Sequence, residues 1–470
     1  MKIFVLFCIW VSSVLSQELP INSIVKVYAS VATPDYKQPW QTPSRYQYSG
    51  SGVLIENDYI ITNAHVITDS KFTQVSKGND SKRYTVSIEF ISHQADLALL
   101  KVHDKSFYND TTPLKFSENV KTGDSVTVLG YPFGGNNLST TKGVISRIEH
   151  HNYVYSYEYM LSIQIDAAIN SGNSGGAAID EKNNIIGIVM QSYSKQDSDN
   201  IGYIIPSIIV KTFLEDIKDG KVDGFDNSNS YISATINPSM KDYYHINTNQ
   251  GVLQVKVQSD DDALKVGDII IEMEGHKVYN DGTADTQYGT QMSKYYEQIK
   301  PVGNTIDVKV IRDGKILDLK YKLKRNNSII YYEYGKEPRY VIFGGLVFTV
   351  TTKNYLYAKN IYSDVTFETF YNLKEDAKGI EEGVIIQQEK FDHSVNEGYS
   401  PYLQLVKSVN GTKIKNFQHF VQLLDDSKGK FTVIEYLDTN SKTILDTKKA
   451  RDSFEEIKNI FGLNTDRKLK

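Results

Sequence analysis

The sequence predicts a mainly β protein, a barrel or sandwich body followed by two smaller α+β modules. Between Ser23 and Ser207 about ten short stretches rich in β-branched residues recur, separated by turn residues and with no helical stretch between them. Antiparallel sandwiches and barrels have that spacing, whereas βαβ folds need a crossover helix after each strand. The first helix-like stretch, SIIVKTFLEDIKDG, comes only at Ser207 to Gly220. After it, an order of strand, turn, strand, helix and strand occurs twice, the mark of two related modules. At 470 residues the chain has room for about three domains.

Taken in order, SIVKVYASV, YSGSGVLI, YIITNAHVI, YTVSIEFIS, DLALLKV, DSVTVLGYPF, TKGVISRI, MLSIQIDAA, NIIGIVMQS and NIGYIIPSI are the strands of the body. Gly220 ends the helix, and DGKVDGFDNSNS reads as a linker. The middle module then has GVLQVKVQ, a turn at Asp260 to Asp262, and a strand after Gly267-Asp268. QMSKYYEQI places Met292, Tyr295, Tyr296 and Ile299 at helical spacing, and Asp313-Gly314 turns a hairpin. The last module repeats this with GVIIQQ, LVKSVNGTKI, the helix NFQHFVQLLDD and FTVIEYLD. The expected division is a leader at 1–16, a body at 17–222, and modules at 229–325 and 338–470.

Lys2, an apolar run from Ile3 to about Val11, and the small residues Ser12, Ser13 and Ser16 have the pattern of a secretory signal peptide. No later stretch is long and apolar enough to predict a membrane-spanning helix. The single cysteine, Cys8, falls in that leader, so the expected mature chain lacks disulfides, Cys-based zinc sites and cysteine nucleophiles. Sequons at Asn79, Asn109, Asn137, Asn326 and Asn410 become glycan acceptors if the chain enters the endoplasmic reticulum. A net charge of −5 with both signs interspersed offers no basic field for nucleic acid and points to protein or peptide partners.

The chemistry centres on QIDAAINSGNSGG, Gln164 to Gly176. A serine between glycines sits in a tight turn that can present its oxygen while bare backbone N–H groups point at what that oxygen attacks. By itself such a turn is mere flexibility as readily as a site. A serine hydroxyl needs a base, for which His65 is the candidate, and the imidazole needs a buried acceptor, for which Asp96 is the candidate. Alone, His65 reads equally as a core histidine and Asp96 as a turn acid. Together they occur in the chain order His, Asp, Ser of the two-barrel serine proteases. The expected oxyanion hole spans Gly172, Asn173 and Ser174. His150-His151 lacks a third metal ligand and reads as a solvent-facing loop.

SIVKVYAS, QPWQ, GSGVLI, TNAHV with His65, ADLALL with Asp96, GYPFGG, TKGVISRIE, QIDAAINSGNSGG with Ser174 and GYIIP together resemble the HtrA/Deg serine proteases, especially the plant-type Deg enzymes. GVL, DDALKVGDII, NDGT and PRYVIFGGLVFT resemble the two C-terminal PDZ regions of that group, so the likeness covers nearly everything after the leader. It implies a chymotrypsin-like double β-barrel followed by two PDZ-like α+β domains, with Ser174 as nucleophile, His65 as base and then acid, and Asp96 as its orienter. It also implies an endopeptidase of unfolded or damaged proteins that uses no ATP, metal or other cofactor, and assembles as a trimer or larger homo-oligomer.

Ser171 and Ala177 stand where the family commonly has prolines, which predicts a loose, inactive turn from Gly172 to Ser174. Asn173 is neutral and cannot pair with a new N-terminal ammonium, so activation by trimming is not expected. Ala168 occupies the place of the acid that selects Lys or Arg in trypsin-like enzymes. A small or medium apolar P1 residue is therefore expected, with Ala168, Ile188, Val189, Met190 and Gln191 around the pocket. Peptide segments would dock in the first module by strand addition, between Gly251, Val252, Leu253 and the helix with Met292 and Tyr296. The competing reading is a non-catalytic peptide-binding scaffold or holdase on a relict protease fold.

Overall fold

The computed structural model describes residues 18–78, 80–117, 119–192, 201–228, 230–246, 248–259, 262–325, 329–361, 377–437 and 441–470. The signal-peptide reading, the sequons at Asn79 and Asn326, and the turn residues Asp260 and Asp261 lie outside the described residues, as does the side chain of Gln191. The chain forms two compact units. One comprises the described part of Met1–Ala29, with Tyr48–Ile67 and Thr73–Asn326; the other comprises Ser30–Gln47, Thr68–Phe72 and Asn327–Lys470.

Twelve strands make two closed barrels. The first contains β1 (Ile24–Thr33), β2 (Ser44–Ile55), β3 (Tyr59–Thr62), β4 (Ser70–Lys77), β5 (Tyr84–Ser92) and β6 (Leu97–Val102), in the order β1-β2-β3-β6-β5-β4. The second contains β7 (Ser125–Gly130), β8 (Ser139–Asn152), β9 (Tyr159–Ile165), β10 (Ala177–Ile179), β11 (Ile185–Ser192) and β12 (Gly202–Pro206), in the order β10-β11-β12-β9-β8-β7. Closure leaves no unpaired edge, and the short β-branched strands fill each interior. Val25, Val27, Ile60, Leu100 and Phe107 are buried in the first barrel, and Leu161, Ile163, Ile186, Ile188 and Ile204 in the second. Each such side chain contributes about 1.5–3 kcal/mol by leaving water. The helix Ser207–Asp216 buries Ile209, Val210 and Phe213 and ends through a 3-10 turn at Gly220.

Residues 221–228 form no regular element, and a five-strand path follows: β13 (Tyr231–Ser233), β14 (Val252–Lys256), β15 (Ile269–Met273), β19 (Thr305–Arg312) and β20 (Lys315–Lys322). The short β16 (His276–Lys277) pairs with β15, and β17 (Thr283–Thr286) with β18 (Gly289–Met292) makes a separate hairpin. Met292 therefore ends a strand, and the helix that follows is only Tyr295–Gln298.

In the second unit, the sheet of the last module wraps the amphipathic helix Phe417–Asp426, whose Phe417, Phe420, Val421 and Leu424 are buried as the helical spacing predicts. Asn416 caps it by accepting from the His419 N–H at 2.9 Å. Two further helices, Thr447–Asp452 and Phe454–Phe461, close the module. The segment 30–47 belongs to this unit through the Tyr36 hydroxyl, which donates to the Glu333 carbonyl at 3.0 Å, and the Trp40 ring, edge-on to Phe391 at 5.0 Å.

Candidate active site

Asp96 ends a turn between β5 and β6, in which its N–H reaches the His93 carbonyl at 3.4 Å. Its φ of 53° is left-handed, a conformation that a short polar side chain tolerates better than most. The turn delivers a carboxylate that is 0% exposed. One oxygen, Oδ1, accepts the backbone N–H of His65 at 2.9 Å, and Oδ2 lies 2.7 Å from His65 Nδ1. The Asn63 side-chain amide donates to the Asp96 carbonyl at 2.9 Å and fixes the turn from the other side. His65 does not end a strand, as ITNAHV suggests, but sits in the one-turn helix Ala64–Ile67.

With an anionic acceptor at Nδ1, the imidazole carries its proton there and leaves Nε2 as the basic nitrogen. Burial lowers the affinity of His65 for a second proton. The negative charge of Asp96 and its hydrogen bond together outweigh that and raise the pKa above its ordinary 6.5. The side chain is 31% exposed, so the ring meets solvent on one side.

The Ser174 turn is tied at several points. Asn173 N–H donates to Asn170 O at 3.0 Å, Gly176 N–H to Asn173 O at 2.8 Å, and Gly175 N–H to Val189 O at 2.9 Å. From the first barrel, Ser51 N–H donates to the Ser174 carbonyl at 2.8 Å, and Ser51 Oγ donates to the Gly172 carbonyl at 2.8 Å while accepting Tyr131 N–H at 2.8 Å. Gly172 has a φ of 96°, and a Cβ there would come within 2.5 Å of Phe133 N. Among the described residues neither the Gly172 nor the Ser174 N–H has an acceptor, so both can serve a developing oxyanion. The Asn173 N–H is already spent on Asn170, which removes that residue from the expected donor set.

Ser171 and Ala177, from which looseness is expected, both have backbone partners. The Ser171 carbonyl accepts from Phe133 N–H at 2.6 Å, and Ala177 is held as the first residue of β10 by pairing with Leu129 and Ile188. The Ser174 hydroxyl donates to the Met190 carbonyl at 3.1 Å rather than to the His65 ring.

The predicted pocket residues whose side chains are described differ in exposure. Ala168 is exposed, but Ile188 and Val189 are 0% exposed and Met190 is 2% exposed, sealed in the second barrel. Val189 and Met190 act through their backbone instead, as partners of Gly175, Gly176 and Ser174. The residues predicted for the peptide groove lie in different settings. Val252 and Leu253 lie on β14, which is paired on both sides, to β13 and to β15. With no free ladder edge it cannot accept an added strand, and the edges of the path are β13 and β20. Gly251 and Tyr296 are buried, with the Tyr296 ring stacked on His276 at 5.2 Å, whereas Met292 is exposed.

His150 and His151 lie in β8 and not in a loop. His150 is buried, and His151 stacks on Tyr203 at 4.3 Å. Among the described residues no group of three or more His, Cys, Asp or Glu converges as metal ligands.

Sequence reasoning passed over Ser51 and Asn63, which tie the Ser174 and Asp96 turns. Asn63 lies inside the TNAHV stretch and was within reach. Ser51 became significant only through contacts to residues 121 positions away.

Residues 50–188 match the family model of the trypsin-like peptidase domain, and residues 329–467 match that of the PDZ domain. Protease Do-like 2, chloroplastic, of Arabidopsis thaliana is 32% identical over 457 residues, which span 95% of this chain and 75% of that protein. Protease Do-like 4, mitochondrial, of the same plant is 31% identical over 92% of this chain and 84% of its own length. Among solved structures, the HtrA-type protease AlgW with tripeptide shares the fold, with a TM-score of 0.50 at 24% identity over 65% of this chain and 94% of that one. With the two barrels, the PDZ match and similarity to the Do-like proteases over more than 90% of its length, the chain belongs to the Deg/HtrA family and is an HtrA-type serine endopeptidase.

Proposed function

We propose that Ser174 is the nucleophile, His65 the general base and then acid, and Asp96 the acceptor that holds the imidazole in its working tautomer. What carries this reading is the pair of bonds from one buried carboxylate to the ring and to the backbone of the same histidine. Substrate binding swings the Ser174 hydroxyl from Met190 O toward His65 Nε2. The base takes its proton as the oxygen attacks the scissile carbonyl, and the N–H groups of Gly172 and Ser174 receive the oxyanion. His65 then gives the proton to the leaving amine, and water repeats the sequence to release the acyl group.

We further infer that the substrates are unfolded or damaged proteins, cleaved without ATP after small or medium apolar residues, since exposed Ala168 supplies no charge at the P1 side chain. Extended peptide segments dock along β13, whose Tyr231 and Ile232 are exposed. Family membership supports a homo-oligomer of three or more chains. The Lys2-to-Ser16 pattern supports entry into the secretory pathway, and the organellar designations of the relatives make an organelle its alternative end point. The body at 17–222 carries the chemistry, and the modules at 229–325 and 338–470 select or regulate.

Casein cleavage by the wild type and Ser174→Ala tests the triad. Loss of turnover in the variant alone supports it, whereas equal and negligible turnover in both leaves the scaffold reading.

A further inference from the structure

The turn that carries Asp96 is gripped by a residue outside the triad. Two positions before Asp96, the Gln94 side chain forms a two-point pair with the backbone of Phe225. Its Oε1 accepts the Phe225 N–H at 3.0 Å, and its Nε2 donates to the Phe225 carbonyl at 3.2 Å. The main-chain carbonyl of Gln94 is taken as well, accepting from Ser156 Oγ at 2.8 Å. Gln94 thus sits inside the His93-to-Asp96 turn with both ends of its amide committed to a segment 131 residues later in the chain.

Phe225 lies in the stretch that joins the second barrel to the middle module, and that stretch is itself held from both. Asp216, at the end of the helix Ser207–Asp216, accepts the Gly224 N–H at 2.8 Å. From the middle module, Val302 N–H donates to the Gly224 carbonyl at 2.9 Å, and Arg325 donates to the carbonyls of Asp223 at 2.5 Å and Val222 at 2.9 Å. Gly224 packs tightly against the turn, since a Cβ on it would lie 2.3 Å from Gln94 Oε1. The other end of the turn is also fixed, because His93 Nδ1 lies 2.7 Å from the hydroxyl of Tyr155, whose ring centroid is 6.0 Å from that of His65.

We propose that Gln94 is a positioning residue that couples the seating of the middle module to the Asp96 carboxylate, so that His65 is fully oriented only while Gly224-Phe225 is docked. The inference rests on the triad reading for its catalytic consequence, but not for its structural one. The amide is suited to this because it alone offers a donor and an acceptor in the spacing of a backbone peptide group. A shift of Asp96 by a fraction of an ångström weakens its hold on the His65 imidazolium, and displacements of about 1 Å cost up to about 100-fold in rate.

The test uses the full chain with Gln94→Ala and, from the other side of the contact, Gly224→Ala. Turnover of an unstructured substrate should fall about 10- to 100-fold in kcat with little change in KM. The acid limb of the kcat/KM profile should move to lower pH in both variants. The His65 ring is also titrated by NMR with each substitution in the Ser174→Ala background, where both should lower its pKa. Unchanged kcat and acid limb in both variants, with Ser174→Ala inactive, would overturn the positioning role and leave the triad standing. Should wild type match Ser174→Ala, a lowered His65 pKa in both variants would uphold the positioning role without the catalysis, and an unmoved one would overturn it. Thermal unfolding of each variant identifies loss of fold, and the Gly224 variant decides the matter if the Gln94 variant does not fold.

Discussion

Asp96 spends both carboxylate oxygens on His65, one on the ring at 2.7 Å and one on the backbone N–H at 2.9 Å. The two bonds fix the imidazole in position and in tautomer together. Asp96→Asn keeps the shape but places an amide where a charged acceptor stood, which lets the ring turn or take the wrong tautomer. Turnover is expected to fall about 10⁴-fold. The sign of the pH effect follows from the raised pKa of His65. In the triad we propose, activity needs neutral His65, so in wild type it is expected to decline as pH falls through a midpoint above 6.5. Without the Asp96 charge, the residual activity of Asp96→Asn should decline at lower pH. A pH–rate profile of both proteins measures this, and an acid limb unmoved by the substitution would refute it.

Ser51 is 0% exposed, and its hydroxyl joins the Gly172 carbonyl to the Tyr131 N–H. Ser51→Ala leaves the buried Tyr131 N–H without its partner, worth about 1–3 kcal/mol, and takes the donor from the part-buried Gly172 carbonyl. The Ser174 turn loses a tie to the first barrel at the same time. Lower stability in urea unfolding is therefore expected together with a kcat loss larger than any change in KM. A variant with wild-type turnover would show that the turn is held without Ser51.

Arg312 and Asp268 form a two-point pair in the middle module. Arg312 Nε and Nη2 donate to the two Asp268 oxygens, each at 2.6 Å, and the carboxylate is 0% exposed. Arg312→Ala removes the charge partner of a buried carboxylate, which keeps the Lys265 N–H at 2.8 Å, and should cost about 3 kcal/mol. Hydrogen exchange should locate the loss in β15, which Asp268 immediately precedes, and in β19, which ends at Arg312, while the helix Phe417–Asp426 keeps its protection. Uniform loss of protection across the chain would contradict that assignment.

What the sequence made readable depended on how unusual each residue is in its surroundings. A histidine after TNA, an acid opening a run of Leu and Ala, and a serine among glycines each call for a chemical explanation, and the three meet the order of a known constellation. Ser51 and Gln94 carry no such signal, because a serine or glutamine in a strand or turn is ordinary until its partner, more than 100 residues away, is in place. The barrels were legible from the strand spacing, but the edge strand β13 was not. It has only three residues within a polar stretch, and β14 read as the edge because its apolar run is the stronger one. Met292 fits a helical period with Tyr295 and Tyr296, yet cross-strand pairing with Thr283 claims it for a hairpin.

The sealed histidine of β8 makes stability depend on pH. Burial, with the positive charge of Lys294 adding to it and the Gln298 amide partly opposing, pushes His150 down to about 4. Gln298 comes from the middle module, accepting Leu161 N–H at 3.0 Å and donating to Tyr159 O at 2.8 Å. An unfolded histidine titrates near 6.5, so between about 6.5 and 4 the unfolded chain takes up a proton that the folded one refuses. Stability is then expected to fall as pH falls through that window, by up to about 3 kcal/mol from this residue. His93, pushed to about 4 by burial, adds to the same slope. His150→Phe keeps an aromatic ring in the site and removes the titration, so it should flatten the slope without abolishing it. Urea midpoints of wild type and variant between pH 7 and 4.5 provide the measurement, and parallel curves would mean that His150 takes up its proton in the folded protein as readily as in the unfolded one.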